Sequence, residues 1–143
     1  MSAKKIIKRK NNEFFGDYLM LDLYDCKPET VGNLKICYSF LDTLPKILGV
    51  NKLSQPFLIY TDEKKYPDKA GLSGWIPLFS SDNKTFSGAS IHTLTPTNFI
   101  SIDIYSCKKI NYSEIKRFII KIFKPKKVEE KHLLRGKEYK SFQ

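Results

Sequence analysis

The sequence predicts an α+β domain, an antiparallel sheet with two main helices packed on one face. Two observations carry this prediction. Six short runs read as strands, and two stretches place apolar residues at helical spacing. Their order is strand, helix, two strands, two more strands, helix and strand, which suits a sheet with its helices gathered on one side. The other face then needs cover, most simply from a second subunit.

Residues 1–12 read as a basic, polar arm, and residues 13–136 as a single domain followed by a tail over 137–143. The first strand, 18–24, is apolar and aromatic and stops at the turn-prone Asp25-Cys26-Lys27-Pro28. Thr30 is placed to cap a helix in which Val31, Leu34, Tyr38 and Leu41 share a face. Pro45 is expected to kink or restart that helix, and Gly49 to end it. Strands follow at 56–60 and 72–79, separated by a charged loop over 61–71. Pro77 removes a backbone donor, so the second of these strands is expected at an edge or a bulge. A polar loop over 80–85 leads to strands at 88–94 and 100–105, joined through Thr95-Pro96-Thr97-Asn98. The latter strand alternates Ile100, Ile102 and Ile104 with Ser101, Asp103 and Tyr105. Asn111 or Ser113 caps the second helix, whose stripe is Ile115, Phe118, Ile119 and Ile122. Pro125 closes it, and 128–134 reads as a last strand.

Composition narrows the function classes. With 143 residues, 41% of them hydrophobic and 13% aromatic, the chain is long and apolar enough for a real core. No apolar run is long enough to span a membrane, and the basic N-terminus lacks the apolar stretch of a secretory signal. A cytoplasmic protein is therefore expected, with no membrane partner. Cys26, Cys37 and Cys107 cannot all pair within one chain, and their spacing matches no metal-knuckle pattern. Neither a disulfide framework nor a structural metal is expected. The net charge of +10 invites a nucleic-acid reading, but it is almost all lysine. Only Arg9, Arg117 and Arg135 supply the planar fork used in bidentate contacts.

Phe86-Ser87-Gly88-Ala89-Ser90-Ile91-His92-Thr93 is the most specific stretch. Ser87 stands where a polar loop gives way to a strand, and Ser90 and His92 share one face by the two-residue period. A hairpin turning over 95–98 pairs residues whose numbers sum to about 193, which sets Cys107 beside position 86 or 87. Ser87, His92 and Cys107 are expected to converge. Singly, each has an ordinary explanation as a turn serine, a strand histidine or a small buried thiol. Together they form a pattern.

That pattern resembles the prokaryotic S-adenosylmethionine decarboxylases, in which Glu-Ser-His precedes a Ser-Ile-His-Thr-like strand and a later strand ends in Cys. Ser87 to His92 is five residues and His92 to Cys107 fifteen, as in that family. Leu21-Asp22-Leu23-Tyr24-Asp25-Cys26, Gly71-Leu72-Ser73-Gly74, Lys126-Lys127-Val128-Glu129 and Arg135-Gly136 resemble further family elements in the right order. The resemblance covers roughly 16–136, with an apparent insertion over 80–85. It implies a decarboxylase-like sandwich and a chain that cuts itself between Phe86 and Ser87. Ser87 would attack the Phe86 carbonyl with help from Ser73, and His92 would remove the Cα proton of residue 87. The cofactor implied is a pyruvoyl group derived from Ser87, an electron sink for an amino-acid substrate, with no metal. Cys107 would return the proton as general acid. The product would serve spermidine synthesis, and a homodimer is implied.

Four positions depart from the family pattern. Phe86 stands for its Glu, Gly88 for its His, Tyr18 for a first-strand His, and Leu94-Thr95-Pro96 for Trp-Pro-Glu. The resemblance assigns that Trp and Glu to adenine and ribose, so Asp22, Tyr66 or Trp75 is the expected substitute in substrate binding. Losing the acid fits a changed substrate, since unpaired polar groups select against other ligands. The alternatives are a homologue acting on ornithine or arginine, a noncatalytic homologue, and a basic nucleic-acid-binding module.

Overall fold

The computed structural model describes residues 14–81 and 85–142. The expected basic arm over 1–12 lies outside them. Among the described residues, seven strands form one antiparallel sheet in the order β2-β4-β5-β6-β1-β7, with β3 also paired to β4. The strands are β1 (Gly16–Tyr24), β2 (Asn51–Lys52), β3 (Phe57–Tyr60), β4 (Leu72–Ser80), β5 (Thr85–Leu94), β6 (Phe99–Ser106) and β7 (Lys127–Arg135). The helices are a short α1 (Pro28–Val31), then α2 (Leu34–Leu48) and α3 (Tyr112–Phe123).

Alternation along the strands builds the core. Leu19, Leu21 and Leu23 of β1, Ile76 and Leu78 of β4, Ala89 and Ile91 of β5, and Ile100, Ile102 and Ile104 of β6 all face the helices. Against them α2 sets Cys37, Phe40, Leu41 and Leu44, and α3 sets Ile115, Ile119 and Phe123. The Phe40 ring lies 5.4 Å from that of Phe123 and 5.8 Å from that of Phe118, joining the two helices over the sheet. Phe40→Ala should cost about 3–5 kcal/mol by lost burial and an unfilled cavity. Thermal unfolding checks this, and a shift of a degree or two would show that the helices do not depend on that ring.

Asp17 ties the two ends of the domain together. Its carboxylate is buried, accepts from the Ile110 amide at 3.1 Å, and accepts from the Tyr112 hydroxyl. Burial first, and the Asp17 contact second, hold the Tyr112 phenol well above its ordinary pKa.

Several local expectations are corrected. Asn33, not Thr30, caps the long helix, its side chain accepting from the Ile36 amide at 3.1 Å. Thr30 instead belongs to α1, where its hydroxyl donates to Lys27. Pro45 sits inside α2 without ending it, and Gly49 closes the helix at φ 70°. β4 is not an edge strand. Pro77 falls between the stretch of β4 paired to β3 and that paired to β2, and its carbonyl accepts from Leu53 at 3.0 Å. A proline is tolerated inside the sheet because the flanking strand is broken opposite it. Ser80 and Thr85, read as loop, are the last pair of the β4–β5 ladder. The residues read as a tail include a 3-10 turn, Tyr139–Phe142, whose Tyr139 ring packs edge-on against Phe15 at 4.8 Å.

Candidate active site

The face of the sheet turned away from the helices carries Asp22, Ser73, Trp75 and His92. Because the registers are regular, side chains there form rows across the strands. One row is polar: Ser73 of β4, His92 of β5, Ser101 of β6 and Asp22 of β1. The next holds Trp75, Ser90 and Asp103, and the one beyond it Pro77, Gly88, Tyr105 and Tyr18.

The β5–β6 ladder has the register expected from the sequence, from Gly88↔Tyr105 to Leu94↔Phe99. Just past its end, the Cys107 thiol donates to the carbonyl of Phe86 at 3.1 Å. A side chain therefore contacts the carbonyl of the peptide bond that joins Phe86 to Ser87. Burial first pushes the Cys107 thiol above its ordinary pKa, with contacts to Thr85 and Tyr105 opposing the shift. The group is a neutral S–H donor at pH 7. Cys26 and Cys37 are buried in the core, their thiols pushed by burial to about 11 and about 12, so neither suits chemistry at neutral pH.

At the other end of β5, Ser73 and His92 are cross-strand partners, with Ser73 Oγ 3.0 Å from His92 Nδ1. The structure thus forms two pairs, Cys107 with Phe86 and Ser73 with His92. It does not bring Ser87 to His92. The sequence places Ser87 at a loop-to-strand junction, but β5 begins two residues earlier, at Thr85, and runs without a bulge to Leu94. Five residues of extended chain span roughly 17 Å, and an odd offset turns the two side chains to opposite faces. The ring of Phe86 stacks near that of Phe79 at 5.4 Å, an apolar pair that carries the ladder into the polar segment.

Between the two pairs lies a cavity of about 470 Å³, lined among others by Ser87, Trp75, Tyr18, Tyr105, Asp103 and Arg135. Trp75 is 52% exposed and Phe86 66%, so the walls are aromatic and open to solvent. The Trp75 indole leans over Gly88, where a Cβ would lie 3.3 Å from its Nε1. A side chain at position 88 would compete with the indole for the same space. Of the expected substrate-binding residues, only Trp75 lines this cavity. Asp22 lies on the open face in the His92 row, and Tyr66 sits in the exposed loop after β3, under Lys65.

Four further residues line the cavity without a role in the motif reading: Asp103, Tyr105, Tyr18 and Arg135. The signal for two of them is present, since alternation in β6 already sets Asp103 and Tyr105 opposite the isoleucines. The Arg135 guanidinium lies 5.8 Å from the Tyr18 ring centre and 5.7 Å from that of Tyr105. Burial first, then the Asp103 carboxylate, raises the Tyr18 phenol, and burial raises that of Tyr105.

A family model described as S-adenosylmethionine decarboxylase matches residues 17–136. The chain is similar to the S-adenosylmethionine decarboxylase proenzyme of Persephonella marina, at 30% identity over 122 residues, 85% of this chain and 82% of that one. It is similar to the proenzyme of the same name from Clostridium botulinum strain Langeland, at 28% identity over 126 residues, 87% and 97% of the two chains. The crystal structure of the adenosylmethionine decarboxylase from Aquifex aeolicus VF5 matches with a TM-score of 0.70 at 20% identity, covering 87% of this chain and 93% of that one. At that identity the likeness speaks for the fold.

Proposed function

The chain belongs to the S-adenosylmethionine decarboxylase family, and from that premise we propose that it is a cytoplasmic proenzyme which cuts itself between Phe86 and Ser87. It then works as a pyruvoyl-dependent carboxy-lyase of S-adenosylmethionine, supplying spermidine synthesis. The observation that carries the reading is the Cys107 thiol on the Phe86 carbonyl.

The residues around position 87 fit the group that self-cleavage would leave there. Ser87 supplies the hydroxyl, the carbonyl it must attack already accepts a hydrogen bond, and the position opens onto the cavity. The pyruvoyl ketone supplies an electron sink for the substrate amine. The chain's own residues do the rest. Ser87 Oγ bonds to the Phe86 carbonyl carbon while the peptide C–N bond breaks, leaving an ester and a free amine. Cys107 donates to the oxygen on which negative charge develops, the role of an oxyanion donor. Ser73 holds the His92 ring by Nδ1, leaving Nε2 to take the Cα proton of residue 87 as the Phe86 carboxylate departs, and hydrolysis of the unsaturated amine left at position 87 would release ammonia and give the ketone. That step requires β5 to leave its flat ladder between 87 and 92. Conversion of the peptide to an ester frees the nitrogen of residue 87 and gives the segment that freedom. In turnover Cys107, kept neutral by burial, is the proton donor facing the same position.

A second reading, a relative acting on ornithine or arginine or a noncatalytic homologue, draws support from one observation. Asp103 and Arg135, charged groups that the motif reading does not assign, line the cavity, whereas Leu94-Thr95-Pro96, which stands for Trp-Pro-Glu, does not. Intact mass of the purified protein decides whether cutting occurs. Two fragments ending at 86 and starting at 87 are expected, with the new start blocked to amine reagents. A single full-length species under all conditions would sink the proposal.

The fragments should not separate. The N-terminal one keeps β1 to β4 and the first two residues of β5, and the C-terminal one the rest of β5 with β6 and β7, joined by the β1–β6, β1–β7 and β4–β5 ladders. We also propose that a second copy covers the open face. Native size-exclusion chromatography should therefore show both fragments in one peak at the size of a dimer. Elution at the size of one chain would rule out the dimer.

A further inference from the structure

We propose that Arg135 is the carboxylate-reading group of the cavity, so that its ligand is an α-amino acid recognised with its carboxylate intact. The inference rests on the reading of the cavity as an amino-acid site and names what that reading leaves open.

Arg135 closes β7 opposite Gly16, and Gly16 leaves room for its neighbour. A Cβ at that position would lie 2.5 Å from the Tyr105 ring, which covers the glycine. Tyr18, two residues on along β1, meets Tyr105 edge-to-face at 6.1 Å. The two rings make a platform on which the guanidinium rests. Both rings lie within about 6 Å of the guanidinium carbon, and aromatic rings satisfy its charge without taking up its fork of N–H donors. No carboxylate pairs with it among the described residues. Asp103, the acid lining the same cavity, acts on Tyr18 instead.

The placement suits the chemistry. The Tyr105 ring that carries Arg135 belongs to β6, two residues before Cys107. Arg135 and position 87 line the same cavity. A ligand whose amine is directed to position 87 then presents its carboxylate to Arg135, and Asp103 supplies the balancing charge for the cationic part of the molecule. A planar fork on a carboxylate is a charge-assisted, bidentate contact. Losing the carboxylate in the reaction also removes that contact, which favours release of the amine product.

Trp75 is the single tryptophan of the chain and lines this cavity, so its fluorescence reports occupancy without turnover. A Ser87→Ala chain would be titrated with S-adenosylmethionine, arginine and ornithine, and with the corresponding decarboxylated amines. The amino acid that binds should do so about 10- to 100-fold more tightly than its amine, the usual range for a charged hydrogen bond. Arg135→Met should erase that preference by weakening the acid and leaving the amine unchanged. Arg135→Lys should retain part of it. Equal binding of acid and amine, or a preference that survives in Arg135→Met, overturns the proposal, as does failure of every compound to bind. A carboxylate preference lost with Arg135, in a wild-type chain that neither cuts nor decarboxylates, would uphold this inference and remove the decarboxylase reading. Turnover with KM unchanged in Arg135→Met would do the reverse.

Discussion

Ser87→Ala is expected to leave a single full-length chain with no decarboxylase activity, because alanine has no hydroxyl to convert the Phe86 peptide bond into an ester. The loss should be complete rather than partial, since the same oxygen starts the cleavage and no neighbour in the ladder can replace it. Fold should be unaffected. Position 87 lies within β5 opposite Leu78, and among the described residues its side chain enters no hydrogen bond that anchors the core. Mass spectrometry reads the cleavage, and circular dichroism reads the fold. His92→Ala separates the two halves of the reaction. If His92 only removes the Cα proton, that variant accumulates ester, and hydroxylamine, which attacks esters, should split it at Phe86. The same treatment should leave Ser87→Ala whole. Cleavage of Ser87→Ala at the normal rate would remove Ser87 from the chemistry altogether.

Cys107→Ala should slow self-cleavage by about 10²- to 10³-fold, the usual cost of removing one donor from a developing oxyanion. Cys107→Ser keeps an O–H at nearly the same place and should recover much of the cleavage rate. It should recover less of the turnover, where the group must give up a proton rather than share one. The pH dependence follows from the direction of the thiol shift. Burial raises the Cys107 pKa, so the S–H form persists through neutral pH and above the range in which an ordinary thiol ionises. Cleavage should be level across neutral pH and fall only on the alkaline side, as the donor is lost. If Cys107→Ala cut itself at the wild-type rate, the 3.1 Å contact to Phe86 would be structural only.

The β5–β6 pairing was legible in full, because a short connection between two alternating strands leaves one register that buries all the isoleucines. The same arithmetic placed Cys107 beside position 86 or 87, and the structure selects the carbonyl of Phe86. The cap at Asn33, the survival of α2 through Pro45 and the interior position of β4 were not legible. Each depends on what stands beside the residue. Pro77 is acceptable only because the flanking strand is interrupted, and no property of Pro77 itself shows that.

For the site, the sequence by itself determined the family motif and its spacings, the two-residue period that sets Ser90 with His92 and Asp103 opposite the isoleucines, and the approach of Cys107 to position 86 or 87. Only the tertiary structure decided how those pieces stand to one another. The ladder runs unbroken through Ser87, so five residues that read as a short gap become about 17 Å of rigid strand between opposite faces. Only the structure, too, brought Arg135 from the end of β7 onto the rings of Tyr18 and Tyr105. Spacing along a chain converts to distance only when the conformation between two residues is known. Neighbours across a sheet are set by strand order, which a linear motif does not contain.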